Sequence, residues 1–226
     1  MFTISPSLYS ADIMKLGEVV KNVDNFEHLH IDIDDGNFVR GISFGMNVVE
    51  GVCKSTNVPV DVHLEVLNPI DYIDKLCATD VKLITAHVEQ LPFPSLFISR
   101  VHNGHKSVGL ALNVKTPVSY IKPYINDIDL ILLVSVEADE EGLLFRKGIL
   151  DKVREIKSIR NDIPVWMDGG INKDNLKDVV QAGTDGIVLG RAIFNSDNPS
   201  KAYTGYLQMG RKYEEIRWIT KKRDLR

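Results

Sequence analysis

Cysteine is scarce in this chain. Cys53 and Cys77 are the only two in 226 residues, they lie far apart, and they form no C-x-x-C pair, so both are expected as buried free thiols on helices. No window approaches the roughly 18 apolar residues of a membrane-spanning helix. Residues 1–6 lack the basic region and apolar stretch of a secretory signal, and a cytoplasmic protein is expected. Strong charge of one sign is also missing: a net charge of -4 gives no electrostatic reason to bind nucleic acid or an anionic membrane. No Pro/Gly/Ser-rich linker interrupts the chain, and the basic end KKRDLR reads as a solvated terminus.

What is present is a core. The chain is 44% hydrophobic and 26% charged, near the globular average, which suits a small-molecule function. Short β-branched runs at 2–4, 29–33, 58–64, 83–86, 108–112, 130–134, 165–167 and 187–189 predict eight strands. Helical stretches lie between them: 13–22 capped by Asp12, 71–78 after Pro69, 149–159, and 173–182 capped by Asn172 and stopped by Gly183. Such alternation implies parallel pairing with helical crossovers. Eight units in this length fit one α/β domain over 1–226, a (β/α)8 TIM barrel with its active site at the C-terminal strand ends. An open doubly wound sheet would place a Gly-rich fingerprint after its first strand, and SPSLYSAD (5–12) contains no glycine.

The segment HIDIDDG (30–36) poses the functional question. Alternate residues of a strand share a face, so His30, Asp32 and Asp34 line one side and Ile31 and Ile33 the other. Buried charge costs several kcal/mol per group unless it is paired, wet or holding a metal. Other predicted strand ends add Ser7, Asp61/His63/Glu65, Thr85/His87/Glu89, Asn113, Glu137, Asp168-Gly169-Gly170 and Gly190-Arg191. These would gather at one barrel mouth, and their mixed N/O donors suit Zn²⁺, Mn²⁺, Fe²⁺ or Co²⁺. Asp61 could orient a metal-bound histidine, or be satisfied by backbone or water.

At these residues the chain resembles the ribulose-phosphate 3-epimerase family. The family's opening P-S-[IL] appears in ISPSL (4–8), and its second-strand signature, near H-x-D-x-M-D-G-x-F-V-P-N then I-[TS]-F-G, in HIDIDDGNFVRGISFG (30–45). D-x-H appears in DVHLEV (61–66), H-x-E in HVE (87–89), and V-D-G-G in MDGGI (167–171). The resemblance implies one divalent metal per chain, held by His30, Asp32, His63 and Asp168, with Asp32 and Asp168 as the acid/base pair. It also implies a sugar-phosphate substrate and a homo-oligomer. Inverting a carbon next to a ketone requires a proton removed from one face and one returned to the other. The ion would polarise the carbonyl and stabilise an enediolate. Ser7, Gly142, Gly169, Gly170, Gly190 and Arg191 are the expected substrate contacts, the glycines and the helix start after Arg191 favouring a phosphate.

Departures from the family pattern bear on the substrate. Where the family has P-G-F-G-G-Q, this chain has ADEEGL (138–143), keeping only Gly142 and bringing Asp139, Glu140 and Glu141. Family methionines correspond to Asp34, Glu65 and Val134, and Asn37, Arg40 and Gly41 also differ. Asp34 and Glu65, with His87, are therefore candidate specificity residues: they would bind extra hydroxyls or a second cation, or lie exposed at the rim. The substrate expected is ribulose/xylulose 5-phosphate or a hexulose 6-phosphate. The alternatives are an unphosphorylated ketose and a non-catalytic sugar-binding homologue. A decarboxylase on this barrel would want D-x-K-x-x-D, and DVKLIT (80–85) lacks the last acid.

Overall fold

Eight short aliphatic runs become eight parallel strands in the computed structural model, which describes residues 1–137 and 144–224. They are β1 (Thr3–Pro6), β2 (Leu29–Asp34), β3 (Val60–Glu65), β4 (Leu83–His87), β5 (Ser107–Leu112), β6 (Leu130–Val134), β7 (Val165–Asp168) and β8 (Gly186–Leu189). Ladders join them in the order β1-β8-β7-β6-β5-β4-β3-β2. A parallel bridge between Ser7 and His30 brings β1 and β2 together and completes the (β/α)8 barrel. No helix among the described residues is long and apolar enough to cross a membrane.

The strands run one step further than apolar periodicity suggests. β2, β3, β4 and β7 end on Asp34, Glu65, His87 and Asp168, each adding one polar residue to the predicted run. β3 starts at Val60 rather than 58 because Pro59 has no N–H to give the ladder; its carbonyl accepts from Leu29 N at 2.9 Å.

Helices cover the barrel: α1 (Leu16–Lys21), α2 (Met46–Ser55), α3 (Ile73–Cys77), α4 (Pro94–Asn103), α5 (Ile149–Ile159), α6 (Leu176–Ala182), α7 (Arg191–Phe194) and α8 (Pro199–Asp224). The helix predicted from 13 opens as a 3-10 turn, Ile13–Lys15, whose first N–H groups Asp12 caps at Met14. The one predicted from 71 likewise opens as a 3-10 turn, Pro69–Tyr72. α6 begins at Leu176, three residues later than predicted, because two asparagines hold a turn there. Asn172 Oδ1 accepts from Asp174 N, while Asn175 accepts from Asn172 N and donates to Gly170 O. Gly183 ends α6 at φ 118°, a left-handed value that glycine adopts without steric cost. Cys53 and Cys77 are free and half-buried on α2 and α3, less enclosed than expected.

Most of the core lies between the strands and the helices, with Ile31, Ile33, Val62 and Leu64 facing outward into it. The barrel interior divides in two. Ala111, Leu130, Leu132, Trp166 and Val188 form an apolar plug on the β5–β8 side. Histidines and carboxylates from β2–β4 fill the other side. Glycines make room for the large side chains: a Cβ on Gly186 would come within 2.5 Å of the Trp166 indole.

α8 closes one side of the molecule against α6 and β1. A Cβ on Gly210 would lie 2.2 Å from the Phe2 ring, and Phe2 is fully buried. Gly210→Ala is expected to destabilise the protein by about 1–3 kcal/mol through overpacking. Chemical denaturation should show this as a lower midpoint; an unchanged midpoint would contradict the packing described.

Candidate active site

Register decides which polar groups meet. His30 pairs with Asp61, Asp32 with His63, and Asp34 with Glu65 across β2 and β3. His63 in turn pairs with Thr85 on β4. The alternation of β2 thus puts all its charged groups on the inner face. His30, Asp32 and Asp34 are buried at 2%, 7% and 6% exposure, so the exposed-rim reading of Asp34 is ruled out.

Each of these groups has a partner that orients it. His30 Nδ1 bonds to Asp61 Oδ2 in a short contact, leaving Nε2 to face Asp32 Oδ1 at 2.9 Å. Asp61 is itself fixed by Ser5 Oγ, which donates to Oδ1 at 2.5 Å. Asp61 therefore supports His30 on the neighbouring strand rather than His63 two residues along its own. Ser7 Oγ donates to Asp32 Oδ2 at 2.7 Å, and His63 Nδ1 lies 3.3 Å from Asp32 Oδ1. Ser43 Oγ donates to the Asp32 carbonyl and accepts from Asp34 N. Across the barrel, Ser135 Oγ donates to the carbonyls of Asp168 and Gly169 at 2.7 and 2.5 Å, pinning the end of β7. The serines at 5, 43 and 135 were not singled out from sequence. Ser5 lies two residues before Ser7 on the same strand face, and Ser43 fills the [TS] position of the I-[TS]-F-G segment; Ser135 has no such signal.

Ligand atoms of His30, Asp32, His63 and Asp168 all lie within 4.8 Å of one another. Two imidazoles and two carboxylates at that spacing fit a borderline divalent ion. The Asp61 bond to Nδ1 also turns the Nε2 lone pair of His30 inward, as a ligating histidine needs. The four residues expected as ligands are thus brought together.

Glycines at the ends of β7 and β8 shape the rest of the mouth. Gly169 and Gly170 have φ of 97° and 65°, and a Cβ on Gly169 would strike Val136. Gly190 precedes α7, where a Cβ would strike Ser10, and Arg191 beside it is exposed. Gly142 and the acidic residues 139–141 lie outside the described residues. His87 is fully buried against His63 rather than lining an open rim.

Charge in the site is unevenly placed. Burial opposes ionisation of Asp32, but the adjacent His30 charge and bonds from His30 and His63 hold it far below the usual carboxylate range. Burial, followed by the charge of Asp32, pushes Asp168 up to about 8. Burial and the neighbouring charges of Glu65 and Asp32 likewise raise Asp34 to about 8. Asp32 and Asp168 are thus two carboxyls in one site whose proton affinities are pushed in opposite directions.

A sequence model of the Ribulose-phosphate 3 epimerase family matches residues 3–194. The chain belongs to the ribulose-phosphate 3-epimerase family. It is 32% identical over 209 residues to ribulose-phosphate 3-epimerase of Bacillus subtilis (strain 168), covering 89% of this chain and 96% of that one. The ribulose-phosphate 3-epimerase of Methanocaldococcus jannaschii is 34% identical over 212 residues, covering 89% and 88%. Among solved structures, orotidine 5'-phosphate decarboxylase from Pyrococcus horikoshii OT3 is similar with a TM-score of 0.66, covering 95% of this chain and 99% of that one. At 16% identity, that likeness speaks for the barrel alone. Family membership makes the protein an enzyme of the carbohydrate epimerase type.

The raised carboxyls have a consequence for stability. Asp34 and Asp168 keep their protons to about pH 8 in the folded protein, whereas an unfolded chain releases them near 3.8. The folded state then binds more protons across that window, so stability falls as pH rises through it. Held metal-free with chelator, the protein should show a Tm that declines from about pH 5 to about pH 8. Asp34→Asn should flatten that decline; a Tm rising over the range would contradict the assignment.

Proposed function

We propose that the protein is a metal-dependent epimerase that inverts carbon 3 of a ketose phosphate, with Asp32 and Asp168 as the proton-transfer pair. The observation that carries the reading is that these two carboxyls, from the ends of β2 and β7, share one four-group cluster while their proton affinities are driven apart. His30, Asp32, His63 and Asp168 would hold a divalent ion, which when bound would supply a Lewis acid for the negative charge that develops on the ketose oxygen. One carboxylate takes the proton from carbon 3, leaving a planar enediolate. The other carboxyl delivers a proton to the opposite face, and both exchange with solvent to reset. Ser7, donating to Asp32 Oδ2, and His30 and His63, both facing Oδ1, fix the orientation of that carboxylate. The backbone at Gly169, Gly170 and Gly190, with the Arg191 cation, supports a phosphate at the β7–β8 side.

The substrate class is argued from the relatives' names, which specify ribulose phosphate. A second reading, an unphosphorylated ketose, draws support from the sequence, which has three consecutive acids at 139–141, and from Glu65, an ionised carboxylate that repels a phosphate dianion.

The test follows carbon-3 hydrogen exchange in deuterated water for metal-loaded protein with pentulose and hexulose phosphates and their unphosphorylated forms. Exchange with a phosphorylated ketose is the expected outcome; exchange only without phosphate selects the second reading, and none with any ketose ends the epimerase reading. Asp32→Asn and Asp168→Asn should each slow turnover by about 10²–10⁴-fold. Metal content is measured alongside, so that loss of the ion is not mistaken for loss of proton transfer.

A further inference from the structure

We propose that His63, Glu65 and His87 hold a second divalent cation, one pleat nearer the mouth than the first cluster. The inference goes beyond the proposed function and shares only His63 with it. His63 turns its two nitrogens toward two different sets of donors. Nδ1 lies 3.3 Å from Asp32 Oδ1, while Nε2 lies 3.0 Å from His87 Nε2. His87 Nε2 also lies 3.6 Å from Glu65 Oε1, and the ligand atoms of His63, Glu65 and His87 are all within 4.8 Å of one another. Two nitrogens bound to one ion in tetrahedral geometry at about 2.0–2.1 Å stand about 3.3 Å apart, within a few tenths of an ångström of the 3.0 Å found here.

The support behind this cluster repeats that behind the first. His30 is held at Nδ1 by Asp61, which is held by Ser5. His87 is held at Nδ1 by Glu89 Oε2 at 3.2 Å, and Glu89 is held by the Thr116 hydroxyl and by Asn113 N at 2.9 Å. A carboxylate behind a histidine fixes its tautomer and aims the other nitrogen at a metal. Both histidines of the second set are fully buried.

A further polar group at this level lacks a partner. Asp34, the register partner of Glu65, is 6% exposed, and its Oδ1 has no hydrogen-bond partner. A buried carboxyl oxygen left without a partner is costly even when the group holds its proton, and neither Asp34 nor Glu65 belongs to the first cluster. A cation beside Glu65, or water held by it, meets that demand. Two imidazoles and a carboxylate suit the same borderline ions as the first cluster. With both sites filled, His63 bridges the two ions as imidazolate, releasing its remaining N–H proton to solvent.

The experiment uses the full chain, stripped with chelator and dialysed to equilibrium against Mn²⁺, with bound metal counted by mass spectrometry. Wild-type protein should hold two ions per chain, and Glu65→Gln and His87→Gln one each. Wild type saturating at one ion overturns this inference alone, and so does two ions retained in both variants. No bound ion overturns it together with the metal reading of the proposed function. Electron paramagnetic resonance of the Mn²⁺-saturated wild type covers a variant that fails to fold: an exchange-coupled pair supports the shared histidine, and two isolated six-line signals refute it.

Discussion

Closing a parallel sheet on itself forces every second residue of each strand into one narrow interior, and the chemistry of this protein depends on how that interior is filled. Leucines, valine and Trp166 fill the β5–β8 half and need nothing but shape complementarity. The β2–β4 half receives His30, Asp32, Asp34, Asp61, His63 and His87, all buried. Such a concentration of ionisable groups persists only if each is bonded, paired or neutralised. The apolar half excludes water from one side and leaves the polar half a dry, rigid wall to work against.

Hydrogen bonding handles part of the load, and its direction is informative. Ser5, Asp61 and His30 form a chain that runs inward and ends on the imidazole Nε2 that faces Asp32; Thr116, Glu89 and His87 form another, ending on the Nε2 that faces His63. Both chains begin at hydroxyl donors away from the centre and terminate where ligand atoms converge. What they leave uncompensated is negative charge: Asp168 and Asp34 are pushed to about 8 by burial and by their charged neighbours. A divalent ion at the first cluster would reverse that balance for Asp168, because a bound cation is the largest local charge and stabilises the ionised carboxylate. In the proposed reaction the same ion would supply the electrophile for proton abstraction next to a ketone.

Much of this was legible before any coordinates. Period-two alternation in HIDID placed His30 and Asp32 on one face, and strand–helix alternation placed that face inside a barrel. His63 and Asp168 came with them because their strands end at the same rim. The strand ends were shortened by one residue, since apolar periodicity stops at Ile33, Leu64, Ala86 and Met167 while the ladders continue onto Asp34, Glu65, His87 and Asp168. Pairings across strands were not legible. That Asp61 serves His30 rather than His63, and that His87 turns inward to His63, follows from inter-strand register, which a single strand's sequence does not encode. Ser43 and Ser135 act from segments following β2 and β6, where no periodicity marks a side chain's direction.

The central claim is that a divalent ion occupies the space between His30, Asp32, His63 and Asp168. Anomalous diffraction from crystals of the full chain loaded with Mn²⁺ or Co²⁺ tests it most directly. The account predicts a strong anomalous peak at ligand distance from both histidine nitrogens and both aspartate oxygens. Metal-loaded crystals with no peak among those four residues, or with the ion bound only at the protein surface, would contradict it.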